Sequence, residues 1–237
     1  MTLALDGVDV SIQASRILRR VTLEVAAGEL VCLVGRNGAG KTTTLRTIMG
    51  YLHPTAGAIT FKGESIAGRP THGMAGRGIG YAPEESGIFA DLTVAENIEM
   101  ATWTRPFTAR SAAERVRLAY EVFPRLRDYA ARGGAQLSGG ERKMLSIARA
   151  LALDPELFLL DEPFEGLSPA IIPALTDSIA AIARLGAAIL VAESNIHHVP
   201  ELTSRLYVIE RGEIIFSGTR AEAARDHNVT RIIGGAL

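Results

Sequence analysis

The run Gly35-Arg36-Asn37-Gly38-Ala39-Gly40-Lys41-Thr42-Thr43 fits G-x-x-x-x-G-K-[ST], a pattern suited to binding a nucleoside triphosphate. Glycines at Gly35, Gly38 and Gly40 let consecutive backbone N–H groups, from Asn37 on to Thr43, turn toward phosphate oxygens. A helix starting beside them adds the positive end of its dipole. Lys41 is spaced to reach the β- and γ-phosphates, and the Thr42 hydroxyl to bind Mg²⁺. The chain has three lysines, Lys41, Lys62 and Lys143, so a lysine at this point is less readily incidental. The same residues could instead form a glycine-rich strand-to-helix turn with no ligand.

Two acids, Asp161-Glu162, end the apolar run Leu157-Phe158-Leu159-Leu160. The carboxyl end of a buried strand is where ligands of open α/β sheets collect. There Asp161 would help hold Mg²⁺, and Glu162 would take a proton from the attacking water as general base. A solvated strand end is the plainer alternative. In Leu137-Ser138-Gly139-Gly140-Glu141, Ser138 and Glu141 make a capping box and explain a helix start. They leave Gly139 and Gly140 unexplained. Successive glycines, poor helix formers, suit close approach of a phosphate to the backbone.

These groups need elements to hold them. Leu30 to Val34 is a short apolar run, as expected of a buried parallel strand, and Leu45, Ile48, Met49 and Leu52 then recur at helical spacing. Leu3–Val10, Val21–Val25 and Ala58–Lys62 alternate in part, predicting half-exposed antiparallel strands. From Asp91 to Arg132 the pattern is helical. Strand and helix then alternate through Leu157–Leu160, Ala170–Arg184, Ala187–Ala192 and Leu206–Glu210, favouring a largely parallel sheet. Arg211-Gly212 predicts a hairpin turn.

With 237 residues the chain can bury one substantial core. A net charge of −1 and a pI near 6.5 argue against a dedicated nucleic-acid binder. The single Cys32 lies in an apolar strand and reads as a small buried hydrophobe in a reducing compartment. Met1 to Asp6 lacks a signal-peptide pattern, so the chain is expected to stay cytosolic. Pro173, Asp177, Arg184 and Gly186 interrupt the most apolar region, making it helix and strand rather than a membrane span.

These motifs, in this order, resemble the ATP-binding subunit of an ABC transporter over nearly the whole chain. The resemblance implies one ABC ATPase domain across residues 1–237, of α/β class. Its parts are a P-loop NTPase core with a mainly parallel sheet, an antiparallel β subdomain and a helical lobe inserted at residues 91–136. It also implies ATP and Mg²⁺ as cofactors, and a head-to-tail pair with a second ATP-binding subunit. Each ATP would lie between Lys41 of one protomer and Ser138, Gly139 and Gly140 of the other. Transmembrane permease subunits would move with the pair, on the cytoplasmic face of the membrane.

Within the superfamily, Tyr81-Ala82-Pro83-Glu84, the stretch from Phe89 to Ile98, Val122 to Leu126 and Gly166 to Pro169 look like the LivF type of branched-chain amino acid importers. So does the ending, Val229 through Gly235. Against the wider family, Ile12 stands where an aromatic residue stacks on adenine, and Glu84 where a glutamine binds Mg²⁺ and reports to the membrane subunit. Ser86 to Leu92 would line the groove that receives that subunit. Ser168 replaces an aspartate, and Ser194 replaces the histidine that contacts the γ-phosphate. A serine hydroxyl donates one hydrogen bond but carries no positive charge. His197 and His198 are expected on a helix facing elsewhere. Slow hydrolysis by the isolated subunit is therefore expected, with a sister subunit completing an asymmetric pair. A soluble ABC switch and a nucleotide-binding module with weak hydrolysis are the competing readings.

Overall fold

In the computed structural model, which describes residues 1–233, strands with alternating burial and strands buried along their whole length separate into two sheets. Gly234 and Gly235, expected to match the subfamily ending, lie outside the described residues. The alternating strands are β1 (Leu3–Ile12), β2 (Ser15–Val25) and β4 (Ala56–Phe61). With the short β5 (Glu64–Ser65) they pair antiparallel in the order β2-β1-β4-β5.

The second sheet contains β3 (Leu30–Val34), β6 (Ile79–Ala82), β7 (Leu157–Asp161), β8 (Ala188–Glu193) and β9 (Arg205–Glu210), all parallel. Strand β10 (Glu213–Gly218) adds an antiparallel edge, giving the order β10-β9-β3-β8-β7-β6. The expected hairpin turn joins β9 to β10, with Arg211 at φ 50 and Gly212 at φ 83. Two positive φ values in a two-residue loop suit the twist of paired strands.

Both faces of the parallel sheet are covered, which is why its strands read as unbroken apolar runs. Val31, Leu33, Leu157, Leu159, Leu190 and Ile209 face the antiparallel sheet and helix α1 (Lys41–Ile48). Cys32, Val34, Phe158, Leu160, Ile189 and Val191 face the other way, toward the remaining helices. The two sets alternate residue by residue, as the pleat demands.

Three helices occupy residues 94 to 128: α3 (Val94–Thr104), α4 (Ala112–Val122) and α5 (Pro124–Asp128). They share a core with α6 (Gly139–Ala152) and α7 (Ile172–Arg184), so the helical segment is continuous with the sheet's apolar face. Shorter helices are α2 (His72–Arg77), α8 (Arg220–Arg225) and α9 (His227–Ile233).

Two expected helix boundaries shift. Helix α1 ends at Ile48, because Gly50 turns the chain at φ 74 against the Arg69 carbonyl, and Leu52 falls beyond it. Helix α7 begins at Ile172 rather than Ala170, with Pro173 in the first turn, where its missing N–H leaves no bond unmade.

Gly212 ties the two sheets to the phosphate loop. Its N–H donates to the Ala39 carbonyl at 2.8 Å, and its carbonyl accepts from Arg19 N at 2.8 Å. A Cβ there would come within 2.0 Å of the Ile17 carbonyl oxygen. Gly212→Ala is therefore expected to lower unfolding free energy by about 2 kcal/mol or more, from clash added to left-handed strain. Gly63→Ala, at φ 82 but facing open space, should lose only about 1 kcal/mol. Urea unfolding of both variants checks the difference.

Candidate active site

The carboxyl ends of β3, β7 and β8 converge on one cleft, of about 480 Å³, that suits a small-molecule ligand. Lys41 and Glu162 line it with Asn37, Gly38, Gly40, Thr42, Thr43 and Glu84. Gly35 sits beneath, where a Cβ would meet the Ile209 carbonyl at 2.3 Å. Helices α3, α4, α6 and α8 all begin with a capping box, but α1 begins at Gly40 with no side-chain cap. Its first-turn N–H groups thus have no side chain competing with an anion.

Lys41 is buried, and its ammonium donates to the Gly35 carbonyl at 2.7 Å, the Arg36 carbonyl at 3.2 Å and Ser194 Oγ at 3.0 Å. It also lies 3.0 Å from Glu162 Oε1. Glu162 is equally buried and accepts from the Ser194 backbone N–H at 3.0 Å. The Ser194 hydroxyl sits 2.5 Å from Glu162 Oε1 and 2.6 Å from Asn37 Oδ1. Its single proton can serve only one of these acceptors at a time. Asn37, Lys41, Glu162 and Ser194 therefore form one network, drawn from four points in the sequence.

Thr42 and Asp161 form a second pair, with Thr42 Oγ1 donating to Asp161 Oδ1 at 3.0 Å. The other Asp161 oxygen accepts from Tyr81 OH at 3.0 Å. Burial pushes the Asp161 carboxyl up, against the lowering effect of those two hydrogen bonds, and burial together with Asp161 pushes the Tyr81 phenol well up. A hydroxyl and a carboxylate side by side fit a hard divalent cation. Among the described residues no group of three or more His, Cys, Asp or Glu could hold a metal ion. Mg²⁺ would thus rely on Thr42, Asp161 and phosphate oxygens. Exposed Glu84 lines the same cleft, and its carboxyl is pushed up by desolvation and by Glu165, Glu85 and Glu162.

Ser138, Gly139 and Gly140 are not brought to Lys41 within the chain. Gly139 lines a different cleft of about 370 Å³, with Glu84, Arg142, Lys143 and Glu165. The capping box is present, with Ser138 N donating to Glu141 Oε2 at 2.7 Å. A Cβ on Gly140 would press Ile171 Cδ1 at 2.7 Å, so local close contact accounts for that glycine. At Gly139 nothing lies within 4 Å, leaving its backbone open to an approaching group. Ile12, at the end of β1, is 42% exposed and faces the Lys41 cleft beside Ile17.

Of the two histidines, His197 is exposed and His198 is half-buried. Ile196–His198 is a 3₁₀ turn, and His198 packs a tilted ring against Phe164, with centroids 5.6 Å apart, and lies 3.7 Å from Glu193 Oε2. Burial lowers its pKa. The sequence patterns assign no site role to Glu193, Tyr81 or Lys143, whose contacts form only on folding. Glu193 ends an apolar strand as an isolated buried acid, which is the signal that could have found it. Tyr81 opens the Tyr81-Ala82-Pro83-Glu84 stretch but reaches Asp161 only through the pairing of β6 with β7.

Glu193 is 1% exposed and accepts from Phe164 N at 3.2 Å. Burial and the nearby Glu162 push its carboxyl up from 4.5 to about 8. Below 4.5 the folded and unfolded chains both hold this proton; between 4.5 and about 8 only the folded chain does. Its contribution to stability therefore falls as pH rises through that window and is flat above it. Glu193→Gln should lose less melting temperature than wild type between about pH 5 and about pH 8. Calorimetric melting across that range checks the sign.

Comparison with known proteins fits this geometry. The family model for the ABC transporter matches residues 18–165. The lipopolysaccharide export system ATP-binding protein LptB of Haemophilus influenzae is 36% identical over 229 residues, 95% of this chain and 93% of that protein. The high-affinity branched-chain amino acid transport ATP-binding protein BraG of Pseudomonas aeruginosa is 38% identical over 205 residues, 86% of this chain and 87% of that protein. The probable branched-chain amino acid transport ATP-binding protein LivF of Archaeoglobus fulgidus is 32% identical over 222 residues, 93% of each. A solved ATP binding subunit of an ABC transporter superposes with TM-score 0.83 and 28% identity, over 97% of this chain and 94% of that one. Because LptB stands beside BraG and LivF, the expected match to the LivF type broadens to ATP-binding subunits of more than one transport class. The chain belongs to the ABC transporter family, as one of its ATP-binding, ATP-hydrolysing subunits.

Proposed function

We propose that this ATPase subunit energises a membrane importer of branched-chain amino acids or a related small solute, working as half of a head-to-tail pair. The opening of Lys41 and Gly139 onto different clefts carries the pairing. A second copy or sister subunit would bring its own Ser138, Gly139 and Gly140 over the phosphates held at Lys41.

The cleft supports a stepwise role for each side chain. Phosphate oxygens replace Glu162 as counter-charge to Lys41, which frees the carboxylate. Glu162 then accepts a proton from the attacking water, oriented by the Ser194 N–H and hydroxyl. Mg²⁺ would be held by Thr42 and Asp161 together with phosphate oxygens, with Glu84 lining the same cleft, and would supply charge neutralisation at the triphosphate. Ser194 offers one hydrogen bond and no charge, which supports slow turnover by the subunit alone. Ile12 offers adenine an apolar contact without stacking.

Contact with the membrane would come through partners. Among the described residues no helix is long and apolar enough to cross a bilayer. Ser86, Gly87 and Arg149 line a groove of about 320 Å³ with Tyr51, Ala101 and Thr104. Half-exposed Phe89 lies nearby under the Arg149 guanidinium, at 4.7 Å. This surface suits a permease segment.

The import reading leans on BraG and LivF. A lipopolysaccharide-export role is the second reading, favoured by the breadth of the LptB match. Uptake of labelled leucine in cells lacking the subunit tests the import reading: restored uptake on complementation supports it, and unchanged uptake rejects import of branched-chain amino acids.

ATP turnover should rise more steeply than linearly with protein concentration if a self-pair assembles working sites. Glu162→Gln should abolish that turnover, by about 100-fold or more, while ATP binding persists. Steady-state hydrolysis with parallel calorimetric binding checks both.

A further inference from the structure

Lys143 is a buried cation that the reading above leaves unused. It is 5% exposed, one turn into the helix that begins at Ser138, and makes no ion pair within 4.0 Å among the described residues. Its ammonium donates instead to two backbone carbonyls, Glu84 O at 2.7 Å and Glu162 O at 3.0 Å. Those residues follow adjacent strands, β6 and β7, at the end of the sheet where the cleft lies.

The Glu162 backbone needs such a hold. Its φ of 46 is in the left-handed region, which costs a non-glycine residue about 1–3 kcal/mol unless its surroundings enforce it. The N–H is tied to the Ala192 carbonyl at 2.9 Å, and Lys143 ties the carbonyl. Burial draws the Lys143 pKa down, while the carboxylates of Glu84, Glu193, Asp161 and Glu165 oppose that and favour its charge.

We infer that Lys143 is a positioning residue that fixes the Glu162 and Glu84 backbones to the Ser138–Gly140 helix. This rests on the general-base reading of Glu162. The helix that presents Ser138 to one nucleotide thereby sets the aim of the base that faces the other. Loss of the tether lets the Glu162 carboxylate drift, and misplacement by about 1 Å costs about 100-fold in rate. Phosphate binding at Lys41 does not pass through it.

Lys143→Met in the full chain is expected to lower kcat about 10- to 100-fold, with KM and the calorimetric Kd for ATP within about twofold of wild type. Lys143→Arg, which keeps a charged donor, should recover most of the rate. Loss of kcat and ATP affinity together with melting temperature would overturn the inference, as would wild-type kcat in Lys143→Met. If Lys143→Met does not fold, Lys143→Gln, a neutral donor on a shorter arm, replaces it with the same expected and overturning results. Turnover surviving in Glu162→Gln would reject the general-base reading itself, a result distinct from any at Lys143.

Discussion

An ammonium and a carboxylate buried 3.0 Å apart, Lys41 and Glu162, set the terms for the rest of the cleft. Withdrawing both charges from water is costly, and removing either partner alone would strand the other at about 3–5 kcal/mol. The chain meets that cost with backbone carbonyls from Gly35 and Arg36 on one side and with Ser194 on the other. The pair can exist only because β3 and β7 lie in one parallel sheet, separated by β8, with their carboxyl ends level. The ion pair thus makes the sheet order a condition of the site. On the proposed mechanism a triphosphate would offer Lys41 a stronger counter-charge than Glu162, so that binding would also release the base.

The helical segment enters this arrangement through α6. Its N-terminus presents Gly139 outward, and its next turn reaches back under the loops that carry Glu84 and Glu162. One helix therefore lines an open cleft at its N-terminus and holds the Glu84 and Glu162 backbones of the same chain one turn later. Neither cleft holds all the groups that the chemistry needs. That incompleteness, more than any single contact, argues for a pair.

Much of this is legible in the amino-acid order. The phosphate loop, the acids after β7 and the capping box at Ser138 are local patterns, because each depends on residues close in sequence. The alternation of apolar runs and helices foretells the parallel sheet, although Gly50 and Pro173 shift two helix boundaries. What escapes is the set of contacts made by folding. Tyr81 meets Asp161 across two strands, and Lys143 meets Glu162 across 19 residues. His198 packs against Phe164 from a single tight turn, Ile196–His198, rather than from a longer helix. Resemblance to one subfamily also reads more narrowly than comparison supports, since the motifs that carry ATP chemistry are silent about cargo.

The exchange of counter-charge at Lys41 is open to direct observation, because the chain has three lysines. Lys62, outside the Lys41 cleft, makes a half-exposed pair with Glu156 at 2.6 Å and serves as a reference. Nitrogen-15 spectra of lysine side chains, recorded as ATP and Mg²⁺ are added, should show the Lys41 ammonium signal move while that of Lys62 stays. A Lys41 signal unchanged at saturating nucleotide would contradict the account.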